Sequence, residues 1–175
     1  MSEEPACYEN YPWWAVIPSC LLALAVYGLG AYIIYKWGWI WMAAYMLFVL
    51  ALEVRLLKGS CVHCYYHGRT CAFGRGRLSG LLFKRGDPEA FSSRNVTWRE
   101  LIPDILVSLI PLVAGIVFLV RDFAWSVLAA MVMLLFLSTA GNGFVRSTLA
   151  CRHCRQRELG CPAERFFQPA EPERV

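Results

Sequence analysis

Two short cysteine motifs contain the residues of this chain that are best suited to chemistry. They span residues 61–71 and 151–161, and both read C-x-H-C-x6-C. A C-x2-C turn presents two thiolates to one tetrahedral ion, and a third cysteine nearby can add a third ligand. The repeated spacing therefore predicts metal binding. The candidate ligands are Cys61, Cys64, Cys71, Cys151, Cys154 and Cys161.

Four other side chains could complete such a site. Adjacent residues rarely both reach one ion comfortably, so a histidine directly before a motif cysteine is a weaker candidate than the cysteine itself. Cys20 is not among the four, because it falls inside an apolar run and reads as a small apolar side chain. The possible additional ligands are His63, His67, His153 and Cys7.

Four chemical interpretations of the motifs stay open. Zinc is favoured, because thiols in a reducing cytosol bind metal more often than they form disulfides. An iron–sulfur cluster is the main alternative. Cys161-Pro162 is typical of ferredoxin-type runs, but Cys71 is followed by Ala72 and the spacing matches neither common ferredoxin pattern. The remaining two are a dithiol redox pair, with nearby arginines favouring thiolates, and cysteines that bind no metal.

The elements that must position these motifs are membrane-spanning helices. The chain is 58% hydrophobic and only 17% charged, whereas soluble domains carry about 25% charged residues. The apolar residues fall into four continuous runs, each about as long as a span requires. Continuous runs indicate helices, since strands of a membrane barrel would alternate. The predicted spans are about 13–35, 37–57, 102–120 and 123–145.

The distribution of basic residues predicts the orientation. An even number of spans places both termini and the segment 53–104 on one side of the membrane. That side holds 15 of the 17 Lys and Arg residues, and only Lys36 and Arg121 lie on the other side. Basic loops stay in the cytosol, so we expect an integral protein of the cell membrane with both termini and both motifs cytosolic.

The two halves of the chain resemble each other. Lys36 follows Pro18 by the same 18 residues that separate Arg121 from Pro103, and each half then ends in the same cysteine motif. We expect an all-α membrane protein of two tandem helical-hairpin repeats, 1–100 and 101–175, related by a pseudo-twofold axis along the membrane normal. A small cysteine-rich face lies on the cytosolic side, with a basic linker at 72–100 and a polar C-tail.

The segment after Cys71 and the glycines of the spans carry two smaller predictions. Leu78, Leu81 and Leu82 beside basic residues indicate a short interfacial helix on anionic headgroups.

Four residues of the spans are expected to serve close helix packing. They are Gly28, Gly30, Pro111 and Gly115.

The sequence favours a non-enzymatic role. It contains no Ser-His-Asp set, paired-carboxylate site or Walker motif, and no ionisable residue falls at mid-membrane as transport usually requires. The favoured function is a structural or partner-docking membrane component. The alternatives are an electron-transfer subunit and a protein that handles or traffics soft metals. The expected partners are the lipid bilayer and either a protein at the basic cytosolic face or a second copy, with no specific nucleic acid.

Overall fold

The computed structural model describes residues 7–88, 91 and 98–161, with the backbone alone at 98–101. Within this part the chain is helical and has no extended strand. Four of its helices are long and apolar enough to cross a membrane, which confirms the predicted number of spans. They cover Trp13–Tyr35, Trp39–Cys61, Ile102–Arg121 and Trp125–His153.

The helices are numbered here in chain order. The list is α1 Trp13–Tyr35, α2 Trp39–Leu56, α3 Arg75–Leu82, α4 Trp98–Arg121, α5 Trp125–Phe136, α6 Asn142–Phe144 and α7 Arg155–Glu158. Helix α2 continues into a π-helical turn at Leu57–Cys61, and π-helical turns at Leu137–Gly141 and Val145–Ala150 flank α6. The second and fourth spans therefore extend further toward the cysteine motifs than the sequence predicted.

Two tight turns join the spans in pairs. Gly38 lies between α1 and α2 with a φ of 128°, a backbone conformation that glycine adopts without a steric penalty. The residues from Asp122 to Ala124 join α4 to α5. These turns define the turn side of the bundle, and both cysteine motifs lie at the opposite end, the motif side.

Helix α1 is the central helix of the bundle, since it packs against α2, α4 and α5. On one flank Ile33 packs among Val127, Met131 and Leu134 of α5. On the other flank Ile34 packs in a second cluster that Tyr45, Val49 and Val107 complete. The opposite, exposed surfaces of the spans are rich in large apolar side chains, which is appropriate for helices that face lipid.

A proline inside α4 is compensated by a tyrosine of α2. Pro111 has no N–H, so the carbonyl of Val107, four residues earlier, loses its helical partner. The Tyr45 hydroxyl donates a hydrogen bond of 2.9 Å to that carbonyl. Gly30 gives the tyrosine its space, because a Cβ there would lie 2.3 Å from the Tyr45 oxygen.

The glycine predictions have different outcomes. Gly30 and Gly115 both lie at close helix contacts, and a Cβ on Gly115 would lie 2.5 Å from the sulfur of Met131. Gly28 has nothing within 4 Å of the position a Cβ would take, so the prediction that it serves packing is wrong. The position around the helix explains the difference, because Gly28 and Gly30 are two residues apart and lie on faces of α1 that differ by about 200°.

Candidate functional site

Each cysteine motif begins where a span leaves regular α-helical geometry. The first thiol, Cys61, is the last residue of the π-helical turn that follows α2, and Cys151 directly follows the π-helical turn Val145–Ala150. Such turns are rare and frequently occur at functional sites. A π-helical turn therefore precedes or includes the first cysteine of each motif.

The two motifs then form matched turns. In the first, the amide of Cys64 donates to the carbonyl of Cys61 over 3.4 Å, and the amide of His67 donates to Cys64 over 3.0 Å. In the second, the amide of Cys154 donates to Cys151 over 3.3 Å, and the next turn closes on Cys154 over 3.0 Å. Equal spacing in the sequence thus gives the same two backbone hydrogen bonds in each motif, with both cysteines of each C-x2-C joined by one of them.

The two motifs meet each other on the motif side. The pKa of the Cys64 thiol is raised to about 11, mainly by burial, with the neighbouring thiols of Cys61, Cys71 and Cys161 acting in the same direction. Burial likewise raises the pKa of Cys154 to about 12, with Cys64 and Cys161 acting in the same direction. Contacts between the motifs agree with this, since Cys64 and Cys154 pack against the same cluster of buried residues around Tyr66 and the amide of Tyr65 donates to the side chain of Gln156 over 2.7 Å.

The cysteines of both motifs lie on the motif side, but their side chains do not surround a position for an ion. Among the residues that the structure describes, no three Cys, His, Asp or Glu side chains form a group that could hold a metal as they stand. All eight cysteines are free thiols. Thiols are soft donors of the kind that zinc and other thiophilic ions prefer, so metal binding at the motifs stays a prediction. Such an ion would displace the thiol protons and draw the sulfurs together.

Cys71 and the two cysteines outside the motifs have other partners. The Cys71 sulfur accepts a hydrogen bond of 3.1 Å from the amide of Gly76, in the first turn of α3. The Cys20 thiol donates to the carbonyl of Phe73 at 3.6 Å. The Cys7 thiol donates to Glu158 at 3.2 Å. Cys7 is thus held beside α7 of the second motif, close to the region where it was predicted to add a ligand.

The three histidines contribute to packing around the site. His63 lies 2.9 Å from the carbonyl of Asp87 through its Nδ1 atom. His67 pairs in the same way with the buried hydroxyl of Ser79, at 3.0 Å. The ring of His153 lies on that of Tyr8, with centroids 4.9 Å apart. The Nδ1 atoms of His63 and His67 are therefore engaged with α3 and the segment after it.

A tyrosine cluster covers the meeting point of the motifs, and the sequence analysis missed it. Tyr66 is 2% exposed and donates its hydroxyl proton to the carbonyl of Tyr8, while the amide of Arg155 donates to that hydroxyl over 3.0 Å. The Tyr11 hydroxyl donates to the carbonyl of Ala150. The sequence does contain a signal for this cluster, because tyrosines directly follow cysteines in Cys7-Tyr8 and in Cys64-Tyr65-Tyr66.

The N-tail, whose described residues 7–12 precede α1, contacts both motifs. Tyr8 forms a parallel bridge with Cys154, and its amide donates to the carbonyl of His153 over 3.0 Å. Three residues later the amide of Tyr11 donates to the carbonyl of Thr70 over 2.9 Å. The segment before α1 therefore touches the second motif at one end and the first motif at the other.

An ion pair fixes the start of α3, just after the first motif, to α2. Nε of Arg75 donates to a carboxylate oxygen of Glu53 over 2.8 Å, and Tyr27 of α1 donates its hydroxyl proton to the same carboxylate. The two charged side chains are 22% and 25% exposed. Glu53 thus pairs with a residue 22 positions later in the chain, at the start of α3.

The comparisons with known proteins leave the site to be interpreted from its own geometry. No family model matches the chain, and no similar curated protein or solved structure was found.

Proposed function

We propose that this chain is a structural membrane component whose two cysteine motifs together bind a thiophilic metal ion, with zinc favoured. The ion would fasten the two helical hairpins to each other on the motif side. The observation that carries the proposal is the convergence of the motifs, because the amide of Tyr65 donates to the side chain of Gln156 over 2.7 Å and the amide of Arg155 donates to the Tyr66 hydroxyl over 3.0 Å. Ligands that must be gathered from distant segments make metal binding a source of folding free energy.

The proposal includes the orientation and the internal duplication. The excess of basic residues on the motif side supports a cytosolic location, where thiols stay reduced and available to a metal. Two parallels support the repeat. In the sequence, Trp13 and Trp98 each precede a proline by five residues, and in the structure both hairpins end in a π-helical turn beside a motif.

The local electrostatics favour metal binding over dithiol redox chemistry. Reactive dithiols have a lowered pKa in an electropositive, partly exposed environment. Here burial raises the pKa of Cys64 and of Cys154, so neither thiol is activated before a metal arrives. A metal ion supplies the missing positive charge, which makes the thiolates stable in a buried position.

A docking role follows from the same face. The motif side carries the excess of basic residues, and the exposed side chains of Arg69, Arg77 and Arg152 are among them. An acidic partner protein, or a second copy of the chain presenting Glu9 and Glu158, would complement this surface. The metal would then act indirectly, by holding the basic face in one conformation.

Anaerobic purification followed by elemental analysis tests the metal. We expect tightly bound zinc in a colourless protein, at one ion per chain because both motifs contribute ligands. Two ions per chain would show separate sites. A brown protein that bleaches on oxidation would support the iron–sulfur alternative. A metal-free protein with a reversible disulfide would support dithiol chemistry and end the zinc proposal.

A further inference from the structure

Helix α3 presents an apolar stripe that no other part of the described chain covers. Leu78, Leu81 and Leu82 are 49%, 83% and 57% exposed. Their spacing of three and four residues places them on one face of the helix. Three neighbouring leucines on one short helix form an apolar surface that is more stable in contact with other apolar groups than with water.

The opposite face of α3 is fixed to the first cysteine motif. A Cβ on Gly76 would lie 2.3 Å from the carbonyl oxygen of Tyr66, and one on Gly80 would lie 2.5 Å from the Cα of Gly68. Ser79 is fully buried between them and donates to the carbonyl of Gly76 over 3.0 Å. Since this face is packed backbone against backbone, α3 cannot rotate its leucines inward.

The ion pair between Arg75 and Glu53 fixes the depth of α3 in the membrane. Glu53 follows Trp39 by 14 residues, which is about 21 Å along α2, whereas the hydrocarbon core is about 30 Å thick. Trp39 begins α2 on the turn side, among tryptophans typical of a membrane interface. Glu53 therefore lies inside the hydrocarbon, and Arg75, one side-chain length away, starts α3 near its boundary on the motif side.

The charges next to the stripe complement lipid headgroups. Arg77, Lys84 and Arg85 are exposed, and Asp87 is the one acidic residue in the segment 75–88. A helix at the boundary with leucines on one face and cations beside them suits the interface of a bilayer that carries anionic headgroups. The leucines also extend the apolar surface of α2, against whose terminal turn α3 packs.

From this geometry we infer that α3 is a membrane-interface anchor, with Leu78, Leu81 and Leu82 inserted among acyl chains and Lys84 and Arg85 bound to phosphate groups of anionic phospholipids. The occupant of the stripe is the bilayer, and not a partner protein. The inference does not depend on a metal at the cysteine motifs. It means that the first motif is held against the membrane surface on one side and against the N-tail on the other.

Depth-dependent fluorescence quenching tests the inference on the full chain. A fluorescent amino acid is incorporated at Leu81, and the protein is reconstituted in vesicles of phosphatidylcholine and phosphatidylglycerol that contain a spin-labelled lipid. We expect blue-shifted emission and strong quenching, similar to a probe at the lipid-facing Ile116 of α4. A probe at the exposed Glu158 of α7 is the matched control and should show emission typical of water and little quenching.

Two results would overturn the inference. The first is a probe at Leu81 that behaves like the one at Glu158. The second is a probe that becomes shielded only when a membrane extract supplies a protein partner. The headgroup component is tested by the double substitution Lys84→Glu and Arg85→Glu. It should reduce quenching at Leu81 in vesicles with phosphatidylglycerol and have less effect in pure phosphatidylcholine. Equal effects in both lipids would refute the role of anionic headgroups.

Discussion

At the scale of single residues, hydroxyl and carboxylate groups decide how the motif side is held together. Glu53 and Arg75 join a span to the start of α3, and Tyr66 joins the first motif to the N-tail and to the second motif. Each of these side chains satisfies a polar group that would otherwise be buried without a partner, which is costly in an apolar environment. Their removal should therefore have larger effects than surface substitutions.

Substitution of one member of the ion pair should destabilise the protein more than substitution of both. Arg75→Gln leaves the Glu53 carboxylate without its cation and should lower the free energy of unfolding by about 1–3 kcal/mol, because the carboxylate loses a charged donor and keeps only the hydrogen bond from Tyr27 among those described. The double change Glu53→Gln and Arg75→Gln should recover part of this loss. Denaturant unfolding in detergent, followed by circular dichroism, measures it.

Arg77→Gln is the matched control for the ion pair, since Arg77 is exposed on the same helix. Its effect should stay within about 0.5 kcal/mol. If the double variant were as unstable as the sum of the two single variants, Glu53 and Arg75 would not be coupled.

Loss of the Tyr66 hydroxyl should loosen the N-tail. Tyr66→Phe keeps the ring but removes the donor to Tyr8 and the acceptor for the amide of Arg155, at a cost of about 1–3 kcal/mol. Limited proteolysis should then cleave near Tyr8 faster. Tyr65→Phe is the control, because within the described part of the chain the Tyr65 hydroxyl accepts its hydrogen bond from Arg69, near the surface. Equal proteolysis in the two variants would show that Tyr66 does not hold the tail.

At the scale of elements, the fold depends on a few close helix contacts and on the two cysteine turns. The contact among α1, α2 and α4 is made by Gly30, Tyr45 and the carbonyl that Pro111 leaves without a helical partner. In a membrane the hydrophobic effect does not drive helices together, because the lipid tails are equally apolar. Helices there associate through close packing at small residues and through polar contacts of this kind.

Gly30 and Gly28 give a direct test of that contact. Gly30→Ala places a methyl group 2.3 Å from the Tyr45 oxygen and should cost about 1–3 kcal/mol, because the tyrosine must leave the carbonyl of Val107. Gly28→Ala has open space, so stability should be unchanged or should rise by about 0.5–1 kcal/mol through better helix propensity. Thermal unfolding of both variants in the same detergent measures the difference, and equal stability would show that α1 and α2 are not in close contact there.

Substitution of either cysteine pair should remove the proposed metal. Cys61→Ser with Cys64→Ser, and Cys151→Ser with Cys154→Ser, should each lose the ion and lower the unfolding temperature, since a shared site needs ligands from both motifs. Elemental analysis and thermal unfolding, with and without a chelator, measure the two effects. Cys20→Ser is the control that should keep the metal. If only one pair mattered, the two motifs would not share an ion.

At the scale of the whole molecule, the four candidate spans bring the described segments before α1 and after the fourth span to the same end of the bundle. The described N-tail and both motifs are in contact with each other on the motif side. A reporter fused after Val175 should be active only as a cytosolic protein, and one fused after Asp122 only as an external protein. The opposite pair of activities would reverse the proposed orientation and place the thiols in an oxidising compartment.

The sequence by itself determined the spans, the turns and the existence of two equivalent cysteine motifs. These features depend on local properties. Apolar run length fixes a membrane helix, and a repeated C-x2-C spacing fixes a repeated turn, as the matched hydrogen bonds at Cys64 and Cys154 show. The cytosolic assignment of the basic residues also needs only their position along the chain, and it stays a prediction.

The tertiary structure alone decided which residues meet. Nothing in the local sequence shows that Glu53 pairs with Arg75, that Tyr45 compensates Pro111, or that the N-tail lies between the two motifs. These contacts join segments far apart in the chain, and they depend on helix rotation and depth, which a run of apolar letters does not encode. The metal was predicted from spacing within each motif. The structure adds that a site shared by both motifs requires the hairpins to bring Cys64 and Cys154 together, since no single hairpin can.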